Sequence, residues 1–131
     1  MKYLLDTNVF LWGIGPAKNL NQEAQRLLGE SAEEFYLSAA SAWEITIKSA
    51  LGKLDLPEPV ARLIPNGLKL YGIRSLPITY LHAVAVAELP ALHQDPFDRM
   101  LIAQARTEDM VLMTSDHLFS KYPVQTMWCG K

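Results

Sequence analysis

The chain of 131 residues is short of several things, and each shortage closes off a class of function. Its one cysteine, Cys129, lies beside the C-terminus, so there is no internal disulfide and no cysteine cluster for zinc. A lone thiol fits a reducing compartment, and a cytoplasmic location is expected. No apolar run approaches the ~20 residues that span a bilayer. The run after Lys2 stops at Asp6, too early for the core of a signal peptide, and no membrane contact is expected. Positive charge is not in excess either. With 12 Lys and Arg against 14 Asp and Glu the formal net charge is -2, so no global basic field announces nucleic acid. A local basic rim can still sit on an acidic protein. His82, His93 and His117 show no ligand-like spacing and read as structural or surface residues, although His117 adjoins Asp116. Repeats, low-complexity tracts and linkers are also missing, which leaves one domain over residues 1–131.

What is present is a globular composition, 50% hydrophobic and 20% charged, in an alternating order of elements. Tyr3–Leu5 reads as a short buried strand. Asn21 is placed to cap a helix reaching about Gly29. "EFYLSA" reads as a second strand, and "SAWEITIKSALG" as a helix from Ser41 that stops at Gly52. Pro57 and Pro65 bracket a short helix. "YGIRSLPI" reads as a third strand, and Thr79 caps a helix to about Glu88. "DPFDRMLIAQARTED" has a strong helix start and an apolar stripe of Phe97, Leu101, Ile102 and Ala105. "MVLMT" is a fourth strand, "SDHLF" a short helix and "YPVQTM" a last strand. Apolar strands alternating with helices predict an α/β fold, a three-layer α/β/α sandwich around a central parallel β-sheet.

In such sheets ligands bind beyond the carboxyl ends of the strands. Asp6 follows the first strand at once and Asp116 follows "VLMTS", so both belong to that edge. Glu44 in "SAWEI" and Asp98 in "DPFDR" stand near helix starts that the topology brings to the same edge. Each acid also has a plain structural reading. Ser41 and Glu44 have the spacing of a capping box. Asp95, Pro96 and Asp98 fit an N-cap, a first-position proline and a third-position acid. Asp116 could open the short helix after it, and Asp6 could satisfy the turn at Thr7 and Asn8. Capping does not explain two acids ending buried strands on one edge. Two carboxylates ~4 Å apart repel by about 4 kcal/mol at an effective dielectric near 20, so a converging set calls for protonation or a cation. All-oxygen ligation suits a hard ion, Mg2+ or Mn2+, whose natural chemistry here is phosphodiester hydrolysis.

Together, "LLDTN", "AWEITIK", "DPFDRMLIAQA" and "LMTSD", in that order and spacing, resemble a PIN-domain ribonuclease, and within that family the VapC-type toxins of bacterial toxin–antitoxin pairs. The likeness covers the whole chain. It implies a PIN-like fold, Mg2+- or Mn2+-dependent endonucleolytic cleavage of RNA, a homodimer, and inhibition by a VapB-like antitoxin. By motif, the family's catalytic and metal-binding acids fall on Asp6, Glu44, Asp98 and Asp116, with Asp95 close by. On that reading Asp6 and Asp98 are the direct ligands, and Thr7, Asn8, Thr114 and Ser115 orient the carboxylates.

Lys48 and Arg99 are candidates for RNA contact; an ion pair with Glu44 and an exposed helical arginine are the plain alternatives. Lys53, Arg62, Lys69 and Arg74 are candidates for a basic rim. Trp12 and Trp43 read as core or dimer packing rather than base-stacking platforms. Rival functions remain. A phosphatase using Asp6 as nucleophile lacks a second Asp in "LLDTN", and a receiver domain lacks an acceptor Asp in "IRSLPI". A non-enzymatic module and an RNA-processing PIN nuclease outside any toxin pair complete the alternatives.

Overall fold

A computed structural model describes all 131 residues. The elements run β1 (Lys2–Leu5), α1 (Thr7–Ile14), α2 (Gln22–Leu28), β2 (Glu34–Ser38), α3 (Ala39–Ala50), α4 (Val60–Leu70), β3 (Arg74–Leu76), α5 (Tyr80–Ala85), α6 (Pro96–Thr107), β4 (Val111–Thr114) and β5 (Thr126–Trp128). The five strands pair in parallel in the order β3-β2-β1-β4-β5. The chain starts in the middle, builds outward through β2 and β3, then returns to the other side of β1. This reversal opens a crevice beyond the carboxyl ends of β1 and β4.

Strand alternation sends neighbouring side chains to opposite faces. Leu5 and Met113 join Phe10, Leu28 and Ile73 in one core. Leu4 and Leu112 join Leu101, Ile102 and Phe119 in the other. The expected α/β/α sandwich is therefore present, with six helices around a parallel sheet. No helix is long and apolar enough to cross a membrane. Cys129 is a free, buried thiol, and burial pushes it up to about 12.

Several local expectations need correction. Residues 7–14 form a full helix rather than a turn, because Asp6 caps it and Val9 and Phe10 bury completely. Helix α3 starts at Ala39, not Ser41, since Ser38 Oγ accepts from Ala40 N at 3.0 Å. The Ser41–Glu44 capping box therefore does not form, and Glu44 lies in the second turn. Pro65 does not end α4 but sits inside it. A proline there forfeits one helical bond and costs about 3 kcal/mol, which packing against α1 offsets. That packing is close enough that a Cβ on Gly67 would lie 2.8 Å from Phe10 Cζ.

The end of α3 matters for the site. Gly52, at φ 74°, lets the chain turn back, with Gly52 N donating to Ser49 O and Lys53 N donating to Lys48 O. This is a Schellman arrangement. It leaves Lys48 and Lys53 on the rim of one cleft.

Candidate active site

A cleft of about 290 Å³ opens at the switch between β1 and β4, and Asp6, Glu44, Asp95, Asp98 and Asp116 all line it. The four acids singled out by motif, with Asp95, thus share one cavity. Their surroundings differ.

Asp6 is 5% exposed and fully hydrogen-bonded. Oδ1 accepts from Val9 N at 2.8 Å, which caps α1. Oδ2 accepts from Thr114 Oγ1 at 2.6 Å and from Ser115 N at 3.3 Å, which ties β1 to β4. Capping and lining the cleft are therefore the same job for this residue. Burial pushes its carboxyl above the ordinary value and Asp116 adds to the rise, while the bonds from Thr114, Val9 and Ser115 oppose it.

Glu44 is also 5% exposed. Oε1 accepts from Thr7 Oγ1 at 2.6 Å, and Oε2 takes the Lys48 ammonium at 2.6 Å. The Thr7 hydroxyl lies 3.0 Å from Ser41 Oγ as well. Asn8 also lines the cleft. Lys48 holds its proton more tightly than usual, first because it donates to Glu44.

Asp98 stands in the first turn of α6, whose cap is Asp95. Asp95 Oδ1 accepts from Phe97 N at 2.8 Å and from Asp98 N at 3.3 Å. Burial, then the charge of Asp95, pushes the Asp98 carboxyl up to about 7; Glu44 and Asp6 add to the rise and His93 opposes it. Asp116 caps the 3-10 turn His117–Lys121, with Oδ1 accepting from Leu118 N at 2.9 Å. Its amide donates to Thr114 Oγ1 at 3.0 Å, so one threonine hydroxyl links the backbone of Asp116 to the carboxylate of Asp6.

His93 is the residue that spacing did not find. Its Nε2 lies 2.9 Å from Asp98 Oδ2 and 3.4 Å from Asp116 Oδ2. A signal was available in "HQDPFD", where His93 stands just before the acidic helix start. The other histidines are elsewhere. His82 is buried, completes a capping box with Thr79 and reaches Glu108 at 2.8 Å. His117 stacks on Trp128, with centroids 3.8 Å apart.

Arg99 turns inward. Its guanidinium donates to the carbonyls of Pro90, His93 and Val86, which fastens the loop before α6 rather than facing solvent. Among the basic-rim candidates only Lys53 lines the cleft; Arg74 pairs with Glu34 at 2.8 Å at the opposite end of the sheet. Trp43 is 62% exposed and meets Phe97 edge-on, so it is not core within one chain.

The donor set fits a hard divalent ion. It is rich in oxygen, only Glu44 has a Lys or Arg partner, and Asp98 cannot ionise freely beside its neighbours.

The family described as PIN domain matches residues 3–125. Ribonuclease VapC16 of Mycobacterium tuberculosis is 38% identical over 60 residues, which cover 46% of this chain and 43% of that protein. The matched segment thus spans less than half the length of that relative. A chain of the VapBC2 complex of Rickettsia felis, solved with a DNA fragment from its promoter, superposes with a TM-score of 0.76 at 17% identity, covering 98% of this chain and 99% of that one. A chain of FitAcB from Neisseria gonorrhoeae gives a TM-score of 0.69 at 25% identity over 95% of this chain and 96% of that one.

Proposed function

The chain belongs to the PIN-domain family, and on that footing we propose that it is a divalent-metal-dependent endoribonuclease and the toxin of a type II toxin–antitoxin pair. The observation that carries the reading is the set of carboxylates gathered at the topological switch with almost no countercharge of their own.

Asp6 and Asp98 would hold Mg2+ or Mn2+ directly, with Glu44 and Asp116 beside them. When bound, such an ion lowers the pKa of an attacking water and offsets charge on a phosphoryl oxygen. The chain's own part is to keep these groups in place. Thr114 and the Ser115 amide fix the Asp6 carboxylate, and Thr7 fixes Glu44. Asp98 must give up a proton that burial, and then the charge of Asp95, makes it hold to about 7. Lys48 and Lys53 line the same cleft and attract the phosphate backbone of an RNA strand.

The solved VapBC2 complex, by its likeness in fold, supports a partner antitoxin for this chain. Helix α5 exposes Tyr80, Leu81 and Val84, apolar surface that a homodimer would cover.

The test is cleavage of RNA with Mg2+ or Mn2+ by wild type, Asp6→Asn and Asp98→Asn. Cleavage is expected only from wild type, and only without excess chelator. Cutting that survives both substitutions, or survives chelation, contradicts the reading. Release of phosphate from small phosphomonoesters with RNA left intact favours the phosphatase rival instead.

A further inference from the structure

We infer that His93 is a positioning residue, whose Nε2–H holds the carboxylates of Asp98 and Asp116 at the spacing a divalent ion needs. This rests on the metal-site reading above. Asp98 belongs to α6 and Asp116 to the segment after β4, and no hydrogen bond joins the two side chains. The imidazole bridges them. Nε2 is buried, 2.9 Å from Asp98 Oδ2 and 3.4 Å from Asp116 Oδ2, yet aligned with neither closely enough to make a hydrogen bond. It faces both carboxylates and is committed to neither.

The rest of the residue is pinned on every polar atom. The backbone N–H donates to Tyr122 Oη at 2.6 Å, and the carbonyl accepts from the Arg99 guanidinium at 3.4 Å. Nδ1 accepts from Asp95 N at 3.2 Å, and the ring leans on Phe119. That last hydrogen bond assigns the tautomer. With Nδ1 an acceptor, the proton of the neutral ring sits on Nε2. Nε2 and the two carboxylate oxygens lie within 4.8 Å of one another, close enough to suggest three ligands to one ion. Ligation through Nε2 would need the proton on Nδ1, where it would face the Asp95 N–H. The imidazole thus turns an N–H rather than a lone pair toward the acids, and is not a ligand. It also explains the inward turn of Arg99, which fixes the loop that carries His93.

The experiment is Mn2+ binding followed by electron paramagnetic resonance, on wild type, His93→Ala, His93→Gln and Asp98→Asn, with folding checked by circular dichroism. His93→Ala should weaken binding on the order of 10-fold, as loss of an outer partner does. His93→Gln, whose amide still donates, should recover most of that affinity. Wild-type protein should show no nitrogen-14 coupling to the bound Mn2+ in spin-echo spectra. Unchanged affinity in His93→Ala, failure of His93→Gln to recover it, or a nitrogen coupling that His93→Ala removes would each overturn the inference. Failure of wild type to bind, or binding undiminished in Asp98→Asn, would instead overturn the metal-site reading.

Discussion

The two ends of one sheet hold acids in opposite circumstances. Where β2 and β3 begin, Glu34 pairs with Arg74 at 2.8 Å and takes a bond from Tyr36 Oη at 3.2 Å. Nearby, Arg26 and Glu30 pair across one helical turn. Where β1 and β4 end, Asp6, Asp95, Asp98 and Asp116 share a cleft and have no Lys or Arg partner. The first end is an ordinary charged surface, in which pairs are worth ~0–1 kcal/mol. The second is a surface whose acids have no Lys or Arg partner, and that difference, more than the number of acids, supports the proposal that this is the functional end.

The comparison breaks first if the two ends prove interchangeable in activity. Asp98→Asn is expected to cost more than the roughly 10–100-fold typical of an outer partner, whereas Glu34→Gln should leave cleavage of a fluorogenic RNA unchanged. A comparable loss in both would erase the distinction.

Next in size is a pH effect confined to the cleft. The Asp98 carboxyl is raised from 3.8 to about 7 on folding, so ionising it costs more in the folded state than in the unfolded chain. The folded state binds the extra proton between those values, and stability falls as pH rises through that window. In chelator, urea midpoints should show a loss of up to about 4 kcal/mol between pH ~4 and ~8, reduced further by partial solvent screening. Asp98→Asn should flatten the curve, and Glu34→Gln should not.

Thr114→Val comes third. It leaves the buried Asp6 Oδ2 without its hydroxyl partner and the Asp116 amide without an acceptor. A hydrogen bond to a charged group is worth ~1.5–3 kcal/mol, and thermal unfolding should report a loss in that range. The smallest effect belongs to the paired end. Arg74→Gln should change stability by less than about 1 kcal/mol, and a larger loss would mean that this end also carries structural weight.

Much of this contrast is legible in the amino-acid sequence alone. The strand-ending positions of Asp6 and Asp116 follow from apolar runs that stop at an acid, and "DPFD" announced the start of α6 with Asp95 as its cap. Chain order, however, does not say where charges are neutralised. Arg99 reads as a solvent-facing cation beside Asp98, but its guanidinium turns back onto the carbonyls of Val86, Pro90 and His93. His93 looked structural because its contacts are to residues brought in by β4 and α6 together. Helix α1 is not legible in the sequence, where Asp6 reads as closing a turn, because the burial of Val9 and Phe10 that extends the turn into a helix is tertiary. Pro65 likewise read as an end, since only packing of α4 on α1 keeps the helix going past it.

The most direct test of the uncompensated end is a Mn2+ soak of crystals with an anomalous difference map. The account predicts a peak in the cleft, within ~2.2 Å of a carboxylate oxygen of Asp98. An empty cleft in protein that still cleaves RNA, or Mn2+ bound instead beside Glu34, would contradict it.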